Sequence, residues 1–319
     1  MAEADVPQGG RYSRRDILAI GGGIAAAAVL RRAGAASAGP VLRRPIPRSG
    51  EELPVVGLGT AIVFDVGNDE ERRTAQRAVI AALVEGGARV VDTAPSYGTA
   101  EEVVGELVAA LGVRERLFLA TKVRVAPREA ATAEMQGSLR RLKTERVDLM
   151  QIHNASGDLA AMAEQLALLR EWKARGVFRY VGVTHSQQSA NERLVALVER
   201  EKLDFVQLNY SLGERDAEAR LLPAAAAAGT AVLVNLPFGR GRLFRAVRGR
   251  ALPEWAAEFE AGSWAQFFLK YLLSNAAVTC VIPGMDKAEY VADNLGAARG
   301  RLPDAAQRRK MAEFWDSLR

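Results

Sequence analysis

The chain has 319 residues, of which 49% are hydrophobic and 25% are charged. This composition is typical of a globular domain and excludes a largely disordered chain. The formal net charge is +5, and five arginines against three acids place +2 of it in residues 1–38. The remainder is too weakly basic to indicate nucleic-acid binding. The single cysteine, Cys280, excludes a disulfide within the chain, and its apolar surroundings in "AAVTCVIPG" predict a buried, unreactive thiol.

The first predicted element is a targeting segment. Arg14 and Arg15 precede an apolar stretch from Ile17 to Leu30, and the small residues "ASA" follow at 36–38. Such a stretch as a helix spans about 21 Å, less than the ~30 Å hydrocarbon core of a bilayer, which is typical of a signal peptide. "SRRDIL" is similar to the twin-arginine export motif, which implies transport of the folded protein by the twin-arginine translocase. We predict a signal peptide over 1–38 and a periplasmic or other extracytoplasmic location, with anchoring by an uncleaved signal as an alternative.

From residue 41 onward, short apolar runs alternate with amphipathic stretches of helical period. Such βα repeats predict a parallel sheet, and eight of them predict a (β/α)8 TIM barrel over 41–319. "VLRRPIPRSGEEL", before the first run, predicts an N-terminal β-hairpin that closes the barrel floor. "PDAAQRRKMAEFWDSL" predicts an additional C-terminal helix after the eighth unit. The runs are 55–59, 88–92, 117–122, 148–153, 180–185, 205–210, 231–237 and 279–284.

The segment "VVDTAPSYGTAEEVVG" joins the second run to a helical stretch. Thr99 and Glu102 fit a capping box, in which a hydroxyl and a carboxylate satisfy N–H groups at a helix start. Asp92 and Tyr97 lie at no capping position. These two residues are therefore candidates for catalysis.

Four polar residues recur in phase with the repeat. Asp92, Lys122, His153 and Thr184 each end a predicted strand and are 30 or 31 residues apart, about one βα unit. The carboxyl ends of the strands in such barrels meet at one rim, where active sites are built. We therefore expect these side chains to lie together at that rim, next to Tyr97.

These residue types are suited to proton delivery. A lysine ammonium close to a phenol favours the phenolate, so Lys122 is expected to lower the pKa of Tyr97 from its ordinary value near 10. Asp92 is expected to pair with the ammonium. A neutral His153 could donate a hydrogen bond that orients a carbonyl oxygen. The set predicts protonation of a carbonyl oxygen as a hydride reaches the carbon, and it contains no activated serine or cysteine for acyl transfer.

The chain resembles the aldo-keto reductase family in a series of motifs over residues 43–298. In chain order they are "DTAPSYG", "LFLATK", "VDLMQIH", "RYVGVTHS", "FVQLNYS", "PFGRGRLF" and "VIPGMDKAEYVADN". The resemblance implies a barrel that uses a nicotinamide cofactor without a Rossmann domain and reduces aldehydes or ketones to alcohols. It also implies that Asp92, Tyr97, Lys122 and His153 form the family's catalytic tetrad, with Tyr97 as the general acid.

The resemblance further implies a cofactor site that departs from the family's pattern. Thr184 and His185 stand where the family usually has Ser-Asn at the nicotinamide carboxamide, and Gln207 matches the glutamine that also holds this group. Asn235 stands where many members have a tyrosine that stacks on the nicotinamide ring. Asn294 fits the family's asparagine at the adenine. The predicted set is completed by Thr60, Asp92, Pro237, Gly239, Arg240, Gly284, Met285 and Lys287.

The choice between the two nicotinamide cofactors depends on opposing signals. The family favours NADP(H), whereas Gly284 and Tyr290 replace the lysine and arginine that commonly bind its 2′-phosphate. Lys287 could substitute as a phosphate ligand. The loop 237–244 is expected to carry the pyrophosphate on backbone N–H groups, with help from Arg240 or Arg242. We predict NADP(H) over NAD(H), and no metal.

Phe64, with Tyr97 and His153, is predicted to contact a small carbonyl substrate in an open pocket. One alternative is a metal-dependent barrel hydrolase with zinc on Asp92, His153 and His185, although a lysine beside these ligands would repel a cation. Another alternative is a nucleotide-sensing partner protein on the same barrel. The sequence leaves the physiological substrate and the oligomeric state open.

Overall fold

Each of the eight predicted runs forms a strand in the computed structural model, which describes residues 39–318; the predicted signal segment lies outside the described residues. Two further short strands pair antiparallel, and the other eight pair in chain order as one parallel sheet. In order they are β1 (Arg43–Pro45), β2 (Glu52–Pro54), β3 (Leu58–Gly59), β4 (Val90–Asp92), β5 (Phe118–Val123), β6 (Val147–Ile152), β7 (Phe178–Thr184), β8 (Phe205–Asn209), β9 (Ala231–Asn235) and β10 (Val278–Val281).

The sheet closes between β10 and β3, which confirms the predicted (β/α)8 barrel. The Gly57 N–H donates to the Val281 carbonyl at 2.8 Å, and the Gly59 N–H donates to the Pro283 carbonyl at 3.0 Å. Glycine is required at this seam, because a Cβ on Gly59 would lie 2.7 Å from the Ile282 carbonyl oxygen.

Helices cover the outside of the barrel, mostly one after each strand. Their apolar faces pack on the outer faces of the strands in one large core cluster, in which Leu83 and Leu166 are fully buried. Gly112, with φ +64°, ends one helix in the left-handed conformation. The helices are α1 (Glu70–Glu85), α2 (Ala100–Leu111), α3 (Arg128–Arg141), α4 (Leu159–Ala174), α5 (Asn191–Arg200), α6 (Leu221–Ala228), α7 (Arg242–Ala246), α8 (Trp264–Leu273), α9 (Ala288–Gly296) and α10 (Ala305–Asp316).

The hairpin of β1 and β2 fills the amino-terminal end of the barrel, as predicted. Ile46 and Leu53 are fully buried in the cluster of apolar side chains inside the barrel, which also contains Phe118 and Phe205. Cys280 belongs to the same cluster, is free and is fully buried. The predicted burial is confirmed, and it raises the pKa of the thiol well above the usual range, which disfavours the reactive thiolate.

Inside the barrel, the side chains change from apolar to polar along the strands. Alternate residues of a strand share a face, so β6 presents Leu149 and then Gln151, and β8 presents Phe205 and then Gln207. On β5, Lys122 follows in the same phase. The buried polar groups therefore gather at the carboxyl rim.

The additional C-terminal helix is α10, as predicted. Asp304 and Gln307 form a capping box at its start, and Met311 and Trp315 bury its apolar face. Between residues 39 and 318, no helix has both the length and the apolar character that crossing a membrane requires.

Candidate active site

Asp92, the last residue of β4, and Lys122 in β5 form a buried ion pair. Lys122 Nζ lies 2.6 Å from Asp92 Oδ2, and it donates to the Thr93 carbonyl oxygen at 2.9 Å. Lys122 is 0% exposed and Asp92 is 2% exposed. Burial alone would lower the pKa of Lys122, but Asp92 and Tyr97 outweigh burial and leave this pKa above its usual value. The lysine is therefore held as an ammonium.

Three buried polar residues hold Asp92 from other sides. Gln151 and Gln207 each donate from Nε2 to Asp92 Oδ1, at 3.1 Å and 2.8 Å. The Thr60 hydroxyl, predicted to meet the cofactor, donates to the Asp92 carbonyl oxygen at 3.0 Å. Gln151 was not among the predicted site residues, although a glutamine in the apolar strand "DLMQIH", two residues before His153, lies in the inward phase.

Tyr97 lies in the loop after β4, with its ring 4.8 Å from Lys122 Nζ. The expectation that its pKa is lowered is wrong. Burial raises the pKa of Tyr97 most, Lys122 lowers it, and Asp92 raises it again, which leaves the pKa above its usual value. Tyr97 therefore keeps its proton at neutral pH, the state that a proton donor requires.

His153 directly follows β6, and its ring meets the Tyr97 ring edge to face, with centroids 5.7 Å apart. Its Nδ1 lies 3.3 Å from the Ser96 hydroxyl oxygen. Burial and then the charge of Lys122 lower the pKa of His153 to about 3. The imidazole is therefore neutral at physiological pH, as expected.

The loop that carries Tyr97 is fastened to the loop after β3, and the predicted capping box is absent. Thr99 precedes α2 but makes no side-chain cap. Its backbone N–H and its hydroxyl both donate to Asp65 Oδ1 at 2.9 Å, and the hydroxyl accepts from the Gly67 N–H. A Cβ on Gly98 would lie within 2.5 Å of the Asp65 carboxylate, so the two loops touch next to Tyr97. A partner distant in sequence has displaced the local cap.

The residues predicted to hold the carboxamide form one network with the ion pair. Gln207 Oε1 accepts from the Thr184 hydroxyl at 3.1 Å and from Asn235 Nδ2 at 3.3 Å, while its Nε2 reaches Asp92. His185 lies at the same rim, where a backbone N–H donates to its Nδ1 at 3.1 Å. Burial and a nearby arginine lower the pKa of His185.

The loop 236–241 after β9 contains the predicted pyrophosphate residues. Pro237 and Gly239 are buried and Arg240 is exposed. The N–H groups of Gly239 and Gly241 already donate to carbonyl groups within the loop. A pyrophosphate at this loop would therefore depend on side chains more than on these two amides.

The segment after β10 contains the residues predicted to meet the adenosine end of the cofactor. Lys287 is exposed, with Nζ 3.8 Å from Glu289 Oε1 and 5.5 Å from the ring centroid of Tyr290. Its ammonium is partly satisfied by these neighbours and still faces solvent. The other predicted residues here are the exposed Gly284 and the buried Met285 and Asn294.

The structure does not support Phe64 as the wall of an open pocket. Phe64 is 0% exposed and packs in the core between the barrel and its helices. Ile62, in the same loop, is 59% exposed and has φ +70°, an uncommon conformation for a β-branched residue. The sequence could not distinguish the two, because the direction of this loop is set by tertiary contacts.

The geometry does not favour the zinc hydrolase alternative. In the part of the chain that the structure describes, no three histidine, cysteine or acidic side chains are grouped as metal ligands would be. The carboxylate of Asp92 is instead occupied by the ammonium of Lys122 and by two amides.

Comparison with known proteins identifies the family to which the chain belongs. The profile of the Aldo/keto reductase family matches residues 55–311. Methylglyoxal reductase YeaE of Escherichia coli (strain K12) is 32% identical over 258 residues, which cover 79% of this chain and 88% of that protein. An aldo-keto reductase of Mycobacterium avium (strain 104) is 33% identical over 76% of this chain and 80% of its own length. The chain belongs to the aldo/keto reductase family.

Two solved structures from Klebsiella pneumoniae are similar in fold. An aldo/keto reductase in complex with NADP and acetate superposes with a TM-score of 0.72 at 26% identity, over 83% of this chain and 93% of that one. An aldo-keto reductase in complex with NADPH gives 0.72 at 25% identity, over 86% and 95%. By its family and fold, the chain is an NAD(P)H-dependent oxidoreductase that acts on carbonyl groups.

Proposed function

We propose that this protein reduces small aldehydes and ketones with NADPH, with Tyr97 as the proton donor. The observation that carries the proposal is the Tyr97 phenol beside the buried Lys122–Asp92 pair, with the His153 ring against it. A phenol, a fixed ammonium and a neutral imidazole suit protonation of a carbonyl oxygen.

The proposed chemistry divides between a hydride and a proton. When bound, a reduced nicotinamide would supply the hydride for the carbonyl carbon. Tyr97 gives its proton to the carbonyl oxygen, and Lys122 stabilises the phenolate that results. Asp92 keeps Lys122 charged and in place. If the Ser96 hydroxyl donates to His153 Nδ1, the neutral ring keeps Nε2–H to orient the carbonyl oxygen.

The residues at the rim fit a dinucleotide. The Gln207 amide donates to Asp92 of the ion pair, and the Asn235 amide donates to Gln207. Asn235 Oδ1 is a buried acceptor without a partner among the described residues. NADPH is proposed over NADH because the two Klebsiella structures contain NADP and NADPH, and because Lys287, which could substitute as a ligand of the 2′-phosphate, is exposed.

For the substrate, the Escherichia coli relative's name, methylglyoxal reductase, supports an α-oxoaldehyde. The exposed Ile62 gives the loop after β3 an apolar surface near the Tyr97 loop. A small substrate with one reactive aldehyde and a short apolar end suits this surface.

The test is a titration of the purified protein with NADPH and with NADH, followed by a panel of small carbonyls. We expect tighter binding of NADPH and turnover of methylglyoxal, seen as loss of the nicotinamide absorbance. Binding without turnover of any carbonyl would overturn the reductase proposal in favour of the nucleotide-sensing alternative.

We also propose that residues 1–38 direct export of the folded protein by the twin-arginine route. The support is the motif "SRRDIL" before an apolar stretch that is too short to span a bilayer. Replacing Arg14 and Arg15 by lysine should keep the protein in the cytoplasmic fraction of a host that has this translocase. Unchanged export of that variant would contradict the proposal. Mass spectrometry of the exported chain would distinguish cleavage near Ala38 from an intact anchor.

A further inference from the structure

Asn235, at the carboxyl end of β9, has one buried polar atom that no described residue satisfies. Its side-chain oxygen, Oδ1, is shielded and accepts no hydrogen bond. A buried acceptor without a donor costs free energy, and such an atom in a native structure requires an explanation, such as a catalytic role or a bound water or ion. This acceptor lies at the rim, in the network that reaches Asp92 through Gln207.

The orientation of the Asn235 amide is fixed by its neighbours. Nδ2 donates to Gln207 Oε1 at 3.3 Å and to the His185 carbonyl oxygen at 3.4 Å. Exchanging the oxygen and nitrogen would place Oδ1 against two acceptors. Oδ1 must therefore point away from both, and only a donor from another group can satisfy it.

Gln207, in contrast, has no hydrogen-bonding capacity left. Its two N–H groups are directed at Asp92 Oδ1 and Gln151 Oε1, at 2.8 Å and 3.3 Å. Its oxygen accepts from the Thr184 hydroxyl and from Asn235. A glutamine side chain offers two donors and one oxygen with two lone pairs, so a ligand could bind here only by displacing a partner.

The backbone that follows Asn235 is strained. Leu236 has φ +51°, a left-handed conformation that a leucine rarely adopts. Strain of this kind persists where the surrounding structure enforces it, and it concentrates at ligand sites. The strain lies directly beside the unpartnered acceptor and at the start of the loop 236–241.

We propose that Asn235 recognises the nicotinamide carboxamide, with Oδ1 accepting a hydrogen bond from the amide N–H2 group. Gln207 then holds Asn235 and Asp92 in place and is a positioning residue. This inference rests on the proposed function, because it needs a nicotinamide cofactor. At a position where the family commonly has an aromatic ring, this chain would recognise the amide group of the cofactor instead of stacking on its ring.

The experiment compares NADPH with its reduced 3-acetylpyridine analogue, in which a methyl group replaces the amide nitrogen. Dissociation constants are measured by fluorescence or calorimetry, without turnover. The wild type should bind NADPH about three- to tenfold more tightly than the analogue, the range of one net hydrogen bond. Asn235→Ala should weaken NADPH by that factor, leave the analogue nearly unchanged and so bring the ratio close to one.

Two variants serve as controls. Asn191→Ala removes another buried amide, at the start of α5, whose polar atoms also lack partners among the described residues, and it should keep the wild-type ratio. Because Gln207 orients the Asn235 amide, Gln207→Leu should weaken NADPH more than the analogue and lower the ratio, but by less than Asn235→Ala. Asn235→Ser provides a second variant at the site if the alanine variant fails to fold.

The outcomes separate this inference from the function on which it rests. A wild-type ratio near one, or a wild-type ratio retained in a folded Asn235→Ala protein, would overturn the role of Asn235 alone. The role of Asn235 would also be overturned if Gln207→Leu, but not Asn235→Ala, brought the affinities for NADPH and the analogue close to each other. If the wild type bound neither dinucleotide, the proposed function and this inference would both fail.

Discussion

The two ends of the barrel contain similar charged clusters with different consequences. At the floor, the Tyr180 hydroxyl donates to Glu51 Oε2 at 2.7 Å, and Arg179 pairs with Glu51 and Asp148 at 2.6 Å and 2.7 Å. At the rim, Tyr97 lies beside the Lys122–Asp92 pair. Each end therefore has a phenol, a cation and a carboxylate.

The difference lies in the fate of the phenolic proton. Tyr180 donates its proton to a carboxylate, whereas the polar neighbour of Tyr97 is an ammonium, which can only donate. The floor cation, Arg179, is partly exposed, and the rim cation, Lys122, is fully buried. The floor cluster fastens the hairpin to the barrel, and the rim cluster keeps a proton available for transfer. Residue type alone does not separate these two roles.

The largest contrast is expected from removing each phenol in turn. Tyr97→Phe should lower kcat about 10²- to 10⁴-fold, the usual contribution of a general acid, with the dissociation constant for NADPH nearly unchanged. Tyr180→Phe should leave kcat at the wild-type value. Steady-state kinetics and cofactor titration measure both quantities, and a Tyr97→Phe protein with wild-type kcat would remove Tyr97 from the mechanism.

Removing the cation at each end should lower the free energy of unfolding by different amounts. Lys122→Met leaves the buried Asp92 carboxylate uncompensated, so unfolding should become easier by about 3–5 kcal/mol. Arg179→Met breaks partly exposed pairs and should cost about 1 kcal/mol or less. Urea unfolding of both variants provides the measurement. Equal decreases in the free energy of unfolding would contradict the conclusion that only the rim pair is fully buried.

A smaller effect is expected from the contact that fastens the Tyr97 loop. Asp65→Ala removes the acceptor for the Thr99 N–H and hydroxyl. Displacement of Tyr97 should lower kcat about two- to tenfold with a small change in KM. Asp65→Asn retains an acceptor oxygen and should recover most of the lost kcat. If Asp65→Ala acted only by destabilising the fold, this recovery would not be explained.

The smallest expected change concerns pH. The pKa of His153 is near 3, so its neutral form persists above about pH 4. Tyr97 is active when protonated, and its raised pKa places the loss of rate on the alkaline side, above about pH 10. We expect kcat for reduction to be flat between about pH 5 and pH 9. A decline centred near pH 6.5 would show that His153 titrates in the working protein.

Much of the fold and the tetrad could be predicted from the sequence because both depend on spacing. The 30- or 31-residue interval between Asp92, Lys122 and His153 reflects the βα unit, and parallel strands bring their carboxyl ends to one rim. Gln151 was detectable in principle from its inward phase in β6. The spacing of these residues along the chain is enough to place them at the rim, without knowledge of tertiary contacts.

The errors came from quantities that depend on tertiary surroundings. The pKa of Tyr97 is a balance between burial and two opposite charges, and burial prevails. Thr99 bonds Asp65 in another loop instead of capping its own helix. Phe64 turns into the core while Ile62 faces solvent, a choice that neither residue's chemistry specifies.

The most direct test of Tyr97 as proton donor is to change the acidity of each phenol and follow the alkaline limb of the reduction rate. Fluorotyrosine, whose phenol is more acidic than that of tyrosine, would be incorporated at position 97 or at position 180 in separate proteins. The account predicts that the limb moves to lower pH for position 97 and stays in place for position 180. An alkaline limb that stays at the same pH after the substitution at position 97 would contradict the claim that Tyr97 is the proton donor.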